Sequence, residues 1–272
     1  MRNVITIYKA LGETPYQAIL KFKKRFPEYM NVKISYAGRL DPMAEGLLLL
    51  LVGEENKKRK KYENLSKTYE FTVLLGIATD TYDILGKIVH SPNLNSHLIN
   101  NSSIVESGDG TSMDYGKWQM ENILKSFLGK RVQPYPPYSS KAVKGKPLYW
   151  WARENRLDEI EIPTKVIEIY DIKLKSTDII MIQDLRLRIK EGIVKVSGSF
   201  RQNEILHSWE KYFKQTIIKS FTLLHCNATC SSGTYVRGIA HEIGQKIGPG
   251  AIALSIKRTN VGKYDISSII NV

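Results

Sequence analysis

The stretch Tyr36-Ala37-Gly38-Arg39-Leu40-Asp41-Pro42-Met43-Ala44-Glu45-Gly46-Leu47-Leu48-Leu49-Leu50-Leu51-Val52-Gly53 carries the reading of this chain. Leu47–Val52 is an apolar run bounded by Gly46 and Gly53. It is far shorter than the ~20 residues that span a bilayer, and it has the length of a strand buried on both faces. The preceding segment is a glycine-bounded loop in which one carboxylate, Asp41, sits between Leu40 and Pro42. An Asp before Pro most often caps a turn. It can also be a nucleophile or general base held on rigid scaffold. The segment alone leaves both roles open.

On either side, strand and helix signals mix, which predicts an α+β fold. Thr14-Pro15 reads as a helix start, with Ala18, Ile19, Phe22 and Phe26 on one apolar face and an end before Pro27. Tyr69–Leu75 reads as a strand, followed by a turn-rich loop from Gly76 to Gly86 with Asp80 and Asp83. Residues about 90–116, rich in Ser, Asn and Gly, read as a surface insertion. Met120, Ile123, Leu124, Phe127 and Leu128 have helical spacing, closed by Gly129. Lys165–Leu174 and Leu185–Val196 read as strands, the latter with an exposed Arg/Lys face. Glu204–Ile217 reads as a helix. Tyr235, Ile239, Ile243 and Ile247 mark a last amphipathic helix opened by Ser232-Gly233-Thr234. Neither an internal repeat nor a linker divides the chain, so one domain spanning 1–272 is expected.

Composition narrows the function. The 272 residues are 42% hydrophobic and 10% aromatic, ample for a core. Lys plus Arg is 40 against 27 for Asp plus Glu, a formal +13, which favours a polyanionic partner, nucleic acid ahead of membrane. Lys57–Lys61 is a basic run suited either to solvent or to phosphate contact. Gln133–Arg153 interleaves Tyr135, Tyr138, Tyr149, Trp150 and Trp151 with basic residues, a pattern that suits base stacking as well as core packing. Cys226 and Cys230 have no further cysteines with which to form a disulfide framework or a zinc site. The five histidines have no metal spacing, and the sequence contains no P-loop, G-x-G-x-x-G, H-E-x-x-H or G-x-S-x-G. No metal and no cofactor are expected. The N-terminus lacks a signal-peptide core, so a cytoplasmic protein is expected. Arg237, in the first turn of the last helix, opposes the helix dipole and calls for an acidic partner, unless it is simply exposed.

The chain resembles the TruB family of tRNA pseudouridine synthases, through blocks spread in order along its length. Lys9-Ala10-Leu11-Gly12-Glu13-Thr14 is similar to the family's K-P-x-G-x-T, and Gly38–Gly46 to its G-x-L-D-P-x-A-x-G. Lys67-Thr68-Tyr69, then Leu75–Asp83 with Gly86, resemble K-x-Y and L-G-x-x-T-D-T-x-D-x-x-G. Tyr138-Ser139-Ser140, Gly145, Tyr149 and Ala152-Arg153 fall at the spacing of its proline-rich RNA-gripping segment. Cys230–Arg237 resembles C-S-x-G-T-Y-I-R, and Lys257-Arg258-Thr259 with Val261-Gly262 resembles L-R-R-T-x-V-G.

The resemblance implies a pseudouridine synthase-like fold: a mixed, mainly antiparallel sheet flanked by helices, with surface insertions at about 90–116 and 176–220. It implies catalytic Asp41, Tyr69 and Arg237, and substrate contacts from Lys9, Thr14, Tyr36, Gly38, Arg39, Leu40, Lys67, Tyr138, Ser139 and Ile256. The implied reaction is isomerisation of the everted T-loop uridine 55 of tRNA to pseudouridine, with the tRNA T-arm as partner and no obligatory protein partner or membrane. Tyr36 stands where the family usually has a histidine, Ala10 replaces the usual proline, and Ala142 falls where a lysine is common. A C-terminal PUA-type RNA-binding module is not recognisable, and the basic insertions are expected to take over part of its grip.

Two other readings compete. Gly38-Arg39-Leu40-Asp41 also resembles the G-R-L-D of ribosomal-RNA pseudouridine synthases of the RsuA and RluA type, which lack the T-D-T-x-D block. A non-catalytic RNA-binding or chaperone protein with the same fold would have no need of Asp41.

Overall fold

Burial of the leucine run on both sides sets the architecture. In the computed structural model, which describes residues 2–89, 105–106, 113–114 and 117–270, the run forms most of a nine-residue strand. The elements in order are β1 (Val4–Lys9), α1 (Pro15–Arg25), β2 (Ile34–Ala37), β3 (Ala44–Val52), α2 (Arg59–Glu63), β4 (Lys67–Leu75), β5 (Val105–Glu106), β6 (Met113–Asp114), α3 (Lys117–Lys125), β7 (Gly129–Pro134), β8 (Ala142–Val143), β9 (Lys146–Pro147), α4 (Leu148–Arg153), β10 (Thr164–Met181), α5 (Ile182–Val194), α6 (Gln202–Gln215), β11 (Ser220–Cys230), α7 (Val236–Ile247), β12 (Ala251–Val261) and β13 (Tyr264–Asp265).

The main sheet runs β1-β3-β12-β4-β11-β10-β7, with β2 beside β3 and β13 beside β12. Only the β3–β12 pair is parallel among the described strands. The sheet is thus mixed and mainly antiparallel, as expected. Side chains alternate across a strand. Leu48, Leu50 and Val52 therefore meet Ala18, Ile19 and Phe22 of α1. Leu47, Leu49 and Leu51 turn to the other face, against Ala37, Tyr62 and Val261. Farther along the sheet, α3 and α7 cover one face of β4, β10 and β11. The opposite face, with Leu74, Leu223, Ile252 and Leu254, is covered by α5 and α6.

The predicted starts and stops hold at α1. The Thr14 hydroxyl accepts the Gln17 amide at 3.2 Å, and Gln17 Oε1 accepts the Thr14 amide at 2.7 Å, a capping box. Leu185–Val196 departs from expectation, being helical through Val194. The alternation Leu185-Arg186-Leu187-Arg188-Ile189-Lys190 mimics a strand, but the buried positions are Leu185, Ile189, Gly192 and Ile193, a helical stripe, while Leu187 is exposed. Residues 176–220 carry much of the second core: Ile205 and Trp209 of α6 pack with Leu185 and Ile189 under the sheet. Residues 90–116 lie almost wholly outside the described residues. Lys57–Lys61 is ordered helical chain, with Lys57, Lys58 and Arg59 paired to Glu54, Glu55 and Glu63. Both cysteines are buried and unbridged. No described helix is long and apolar enough to cross a membrane.

Trp209 joins α6 to the loop after β4, its indole N–H reaching the carbonyls of Ile84 and Gly86 at 3.3 and 3.1 Å. Trp209→Ala should cost about 3–5 kcal/mol. Trp209→Phe, which keeps much of the ring but drops the donor, should cost about 1–3 kcal/mol. Urea denaturation midpoints measure both, and a Trp209→Phe variant as stable as wild type would show that the hydrogen bonds contribute nothing.

Candidate active site

The loop bearing Asp41 occupies a split in the sheet. One edge of β3 is shared by two neighbours: β12 pairs with Ala44–Gly46, and β2 with Leu49–Val52. Between these ladders the Leu47 carbonyl accepts from Arg258 Nε at 2.8 Å. The same guanidinium donates to the carbonyls of Arg39 and Gly38 at 3.2 and 3.3 Å, and the side chain is fully buried. Gly46 has φ +108, and a Cβ there would meet the Arg258 carbonyl oxygen at 2.4 Å, so only glycine lets the two backbones approach. On the other side, Lys9 Nζ donates to the carbonyls of Ala44 and Ala10 at 2.6 and 3.1 Å. The Gly12 amide reaches the Pro42 carbonyl at 2.9 Å. The loop is therefore pinned through its backbone from both flanks.

Arg237 meets Asp41 from the first turn of α7. Its Nε donates to Asp41 Oδ2 at 2.8 Å, Nη1 to the Thr81 carbonyl at 2.7 Å and Nη2 to the Tyr138 carbonyl at 3.1 Å. The arginine is 3% exposed and the aspartate 38%. Burial works against the guanidinium charge. Asp41 and Asp83 outweigh it and hold the arginine above its ordinary pKa. Asp83 accepts from Thr81 Oγ1 at 2.7 Å and the Leu85 amide at 3.0 Å. Burial lifts it to about 6, against the pull of Arg237 and Thr81.

These groups border a cleft of about 400 Å³, within the range of small-ligand sites. Asp41, Tyr69, Tyr138, Arg237 and Ile256 line it, as do Gly38, Arg39, Leu40, Lys67 and Ser139. Tyr69, on β4, is pushed up to about 12, chiefly by burial, so it is a neutral phenol at ordinary pH. Lys67 Nζ is tied to the carbonyls of Glu63 and Leu65, and burial lowers it to about 8. Arg39 is exposed at the mouth and donates to the Ser140 hydroxyl across it. The arrangement presents one half-exposed carboxylate, held by a cation, beside a phenol and an apolar wall.

Three expected substrate contacts lie outside this lining. Lys9 is fully buried and spends its donors on backbone. Thr14 caps α1. Tyr36 packs against the α1 core, with the Arg59 guanidinium 5.5 Å from its ring. Trp151 and Leu148 form a small separate cluster with Ile160, so of the aromatic stretch only Tyr135 and Tyr138 reach the cleft. The reading of the sequence passed over Lys165, Tyr235 and Arg258, which also line it. Arg258 had a signal in the closing Lys257-Arg258-Thr259 block. Lys165 had none, because its approach depends on Ser232, whose carbonyl accepts from Lys165 Nζ at 2.9 Å.

Residues 23–194 match the family described as "TruB family pseudouridylate synthase (N terminal domain)". The chain is similar to tRNA pseudouridine synthase B of Thermosipho melanesiensis, with 29% identity over 100% of this chain and 67% of that protein. It is similar to the protein of the same name from Caldicellulosiruptor saccharolyticus, with 29% identity over 100% of this chain and 71% of that one. It therefore spans about two thirds of the length of these relatives. Among solved structures it resembles one described as "Crystal Structure of a Cbf5-Nop10-Gar1 Complex", with TM-score 0.57, 16% identity, and coverage of 99% of this chain and 52% of that chain. At that identity the likeness is one of fold, and this chain spans about half of the solved one.

Asp83 gives the site a pH signature. Its folded value of about 6 exceeds its ordinary 3.8, so between those values the folded protein keeps a proton that the unfolded chain has lost. Stability from this group is complete below pH 4 and falls as pH rises through 6. Asp83→Asn retains an acceptor for Thr81 and Leu85 and abolishes that loss. From pH 4 to 7, the unfolding free energy of the variant should gain about 2–3 kcal/mol on wild type, at 1.36 kcal/mol per pKa unit. Parallel urea-derived profiles would acquit Asp83.

Proposed function

The chain belongs to the TruB family of pseudouridylate synthases, and from that premise we propose that its cleft isomerises a T-loop uridine of tRNA, at position 55, to pseudouridine. The observation that carries this reading is the Asp41–Arg237 pair at the edge of a cleft sized for a nucleoside. The tRNA substrate accords with the names of the curated relatives and with the formal +13 charge. A cytoplasmic location accords with the same reading.

The target uridine is everted into the cleft, since its reacting atoms are inaccessible within a stacked arm. Tyr69 and Ile256 form the surface on which the uracil lies. Asp41, held by Arg237, supports rupture of the N1–C1′ bond. The uracil turns in the cleft and C5 bonds to C1′. The C5 proton passes to solvent and N1 takes one up from it, so the product has the formula of the substrate and is its isomer. Tyr69, neutral with a pKa of about 12, is a poor base, so it stacks and donates rather than abstracting the proton. Arg237 contributes a charge that does not have to reorganise during reaction.

Asp41→Asn should retain tRNA binding and lose pseudouridine formation, by roughly 10³-fold or more for an essential group. Incubation with unmodified tRNA transcript, followed by carbodiimide mapping of pseudouridine, tests both the activity and the position. Turnover near wild type in the variant would falsify the assignment of Asp41, and pseudouridine appearing only in ribosomal RNA would redirect the substrate. Affinity for tRNA should also fall steeply with salt, by about 10³-fold or more between 50 and 200 mM if six or more phosphates are contacted. A flat response in filter binding would remove phosphate contact as the main source of affinity.

A further inference from the structure

One ionic cluster outside the cleft is not used by this mechanism. Arg201, 14% exposed, donates from Nη1 to Asp80 Oδ2 at 2.9 Å and from Nη2 to Asp80 Oδ1 at 3.3 Å. Its guanidinium lies 4.1 Å from the centroid of the Tyr138 ring, within cation–π range, and burial, joined by the charge of the same Asp80 carboxylate, raises the Tyr138 phenol pKa. Asp80 is fixed in turn, because its Oδ1 accepts the Lys87 amide at 2.9 Å. Arg201 does not line the cleft, whereas Tyr138 does. The Tyr138 carbonyl is one of the two backbone oxygens that anchor Arg237.

The backbone at Arg201 is unusual as well. The residue caps α6 with φ 63 and ψ 28, the left-handed region that favours glycine. Arginine is retained there at a conformational cost, and such strained positions persist where neighbouring contacts fix them. The contacts that do so here are those to Asp80 and Tyr138.

We propose that Arg201 is a positioning residue for the reaction: clamped on Asp80, its guanidinium braces Tyr138 from outside the cleft and so sets the carbonyl that orients Arg237 and, through it, Asp41. The proposal rests on the reading of the cleft as the uridine site. The clamp itself is a matter of geometry and is tested separately below. A planar guanidinium is required because it has to stack on a ring and bridge two carboxylate oxygens at once, which an ammonium cannot do.

Arg201→Gly removes the side chain and suits the left-handed backbone, so the variant should fold with an unchanged or raised thermal midpoint. Under single-turnover conditions at saturating enzyme on unmodified tRNA, its rate constant should fall about 10–100-fold, the penalty for loosened catalytic geometry. Its Kd for tRNA should stay within about threefold of wild type, because Arg201 acts through Tyr138 and not on phosphate. Arg201→Lys should recover only a small part of the rate. A wild-type rate in Arg201→Gly, or a loss confined to Kd, would overturn the proposal. Crystal structures of wild type and Arg201→Gly give a readout independent of activity: the Tyr138 ring should shift and its carbonyl part from Arg237. An unmoved Tyr138 would also overturn it. If wild type formed no pseudouridine in any RNA, the uridine reading would fall, and the crystal comparison would still decide the clamp.

Discussion

The buried guanidinium of Arg237 is the constraint around which the cleft is built. Two of its three directions are satisfied by backbone carbonyls, at Thr81 and Tyr138, and one by Asp41. Its position therefore does not depend on the carboxylate, and the carboxylate is presented to the cleft by a cation already in place. The pair is not a large source of stability, because Asp41 is more than a third exposed and solvent screens it. Its importance lies in orientation, since a fixed charge pair beside a neutral phenol is ready before a substrate enters.

Two groups of cations serve the fold itself. Lys9, Lys67, Arg237 and Arg258 are buried and donate to carbonyls of the loops that shape the cleft. Lys57, Lys58 and Arg59 are paired with nearby carboxylates. The paired cations are already cancelled within the +13, and the buried ones are committed to the fold, so contact with a polyanion falls to the other lysines and arginines of the surface. The burial of Lys9 and Lys67 lowers both to about 8, the expected response of an ammonium withdrawn from water.

The elements legible in the sequence were those whose signals are local. Thr14 followed by Pro15 marked the start of α1, and the leucine run between two glycines announced a strand covered on both faces. Asp41, Tyr69 and Arg237 could be brought together only through resemblance, because the contact of Asp41 with Arg237 joins residues 196 positions apart. Period alone misled at α5, where a two-residue alternation overlies a helical stripe and only packing against Trp209 and Leu74 separates them. Lys9 and Thr14 are chemically suited to grip a substrate, and the chain uses them to satisfy its own carbonyls and amides instead. Nothing local distinguishes those two uses.

The place of β12 in the sheet has a bearing on how the molecule comes into being. This strand lies between β3 and β4, and it brings Arg258, which secures the Asp41 loop. It is also synthesised after every other long strand. Until it emerges from the ribosome, the leading hairpins have no neighbour to join them, and their apolar edges stand open to wrong pairings. Closure over such sequence separation is slow. A nascent chain therefore stays without a formed cleft, and inert toward RNA chemistry, until β12 has emerged and paired.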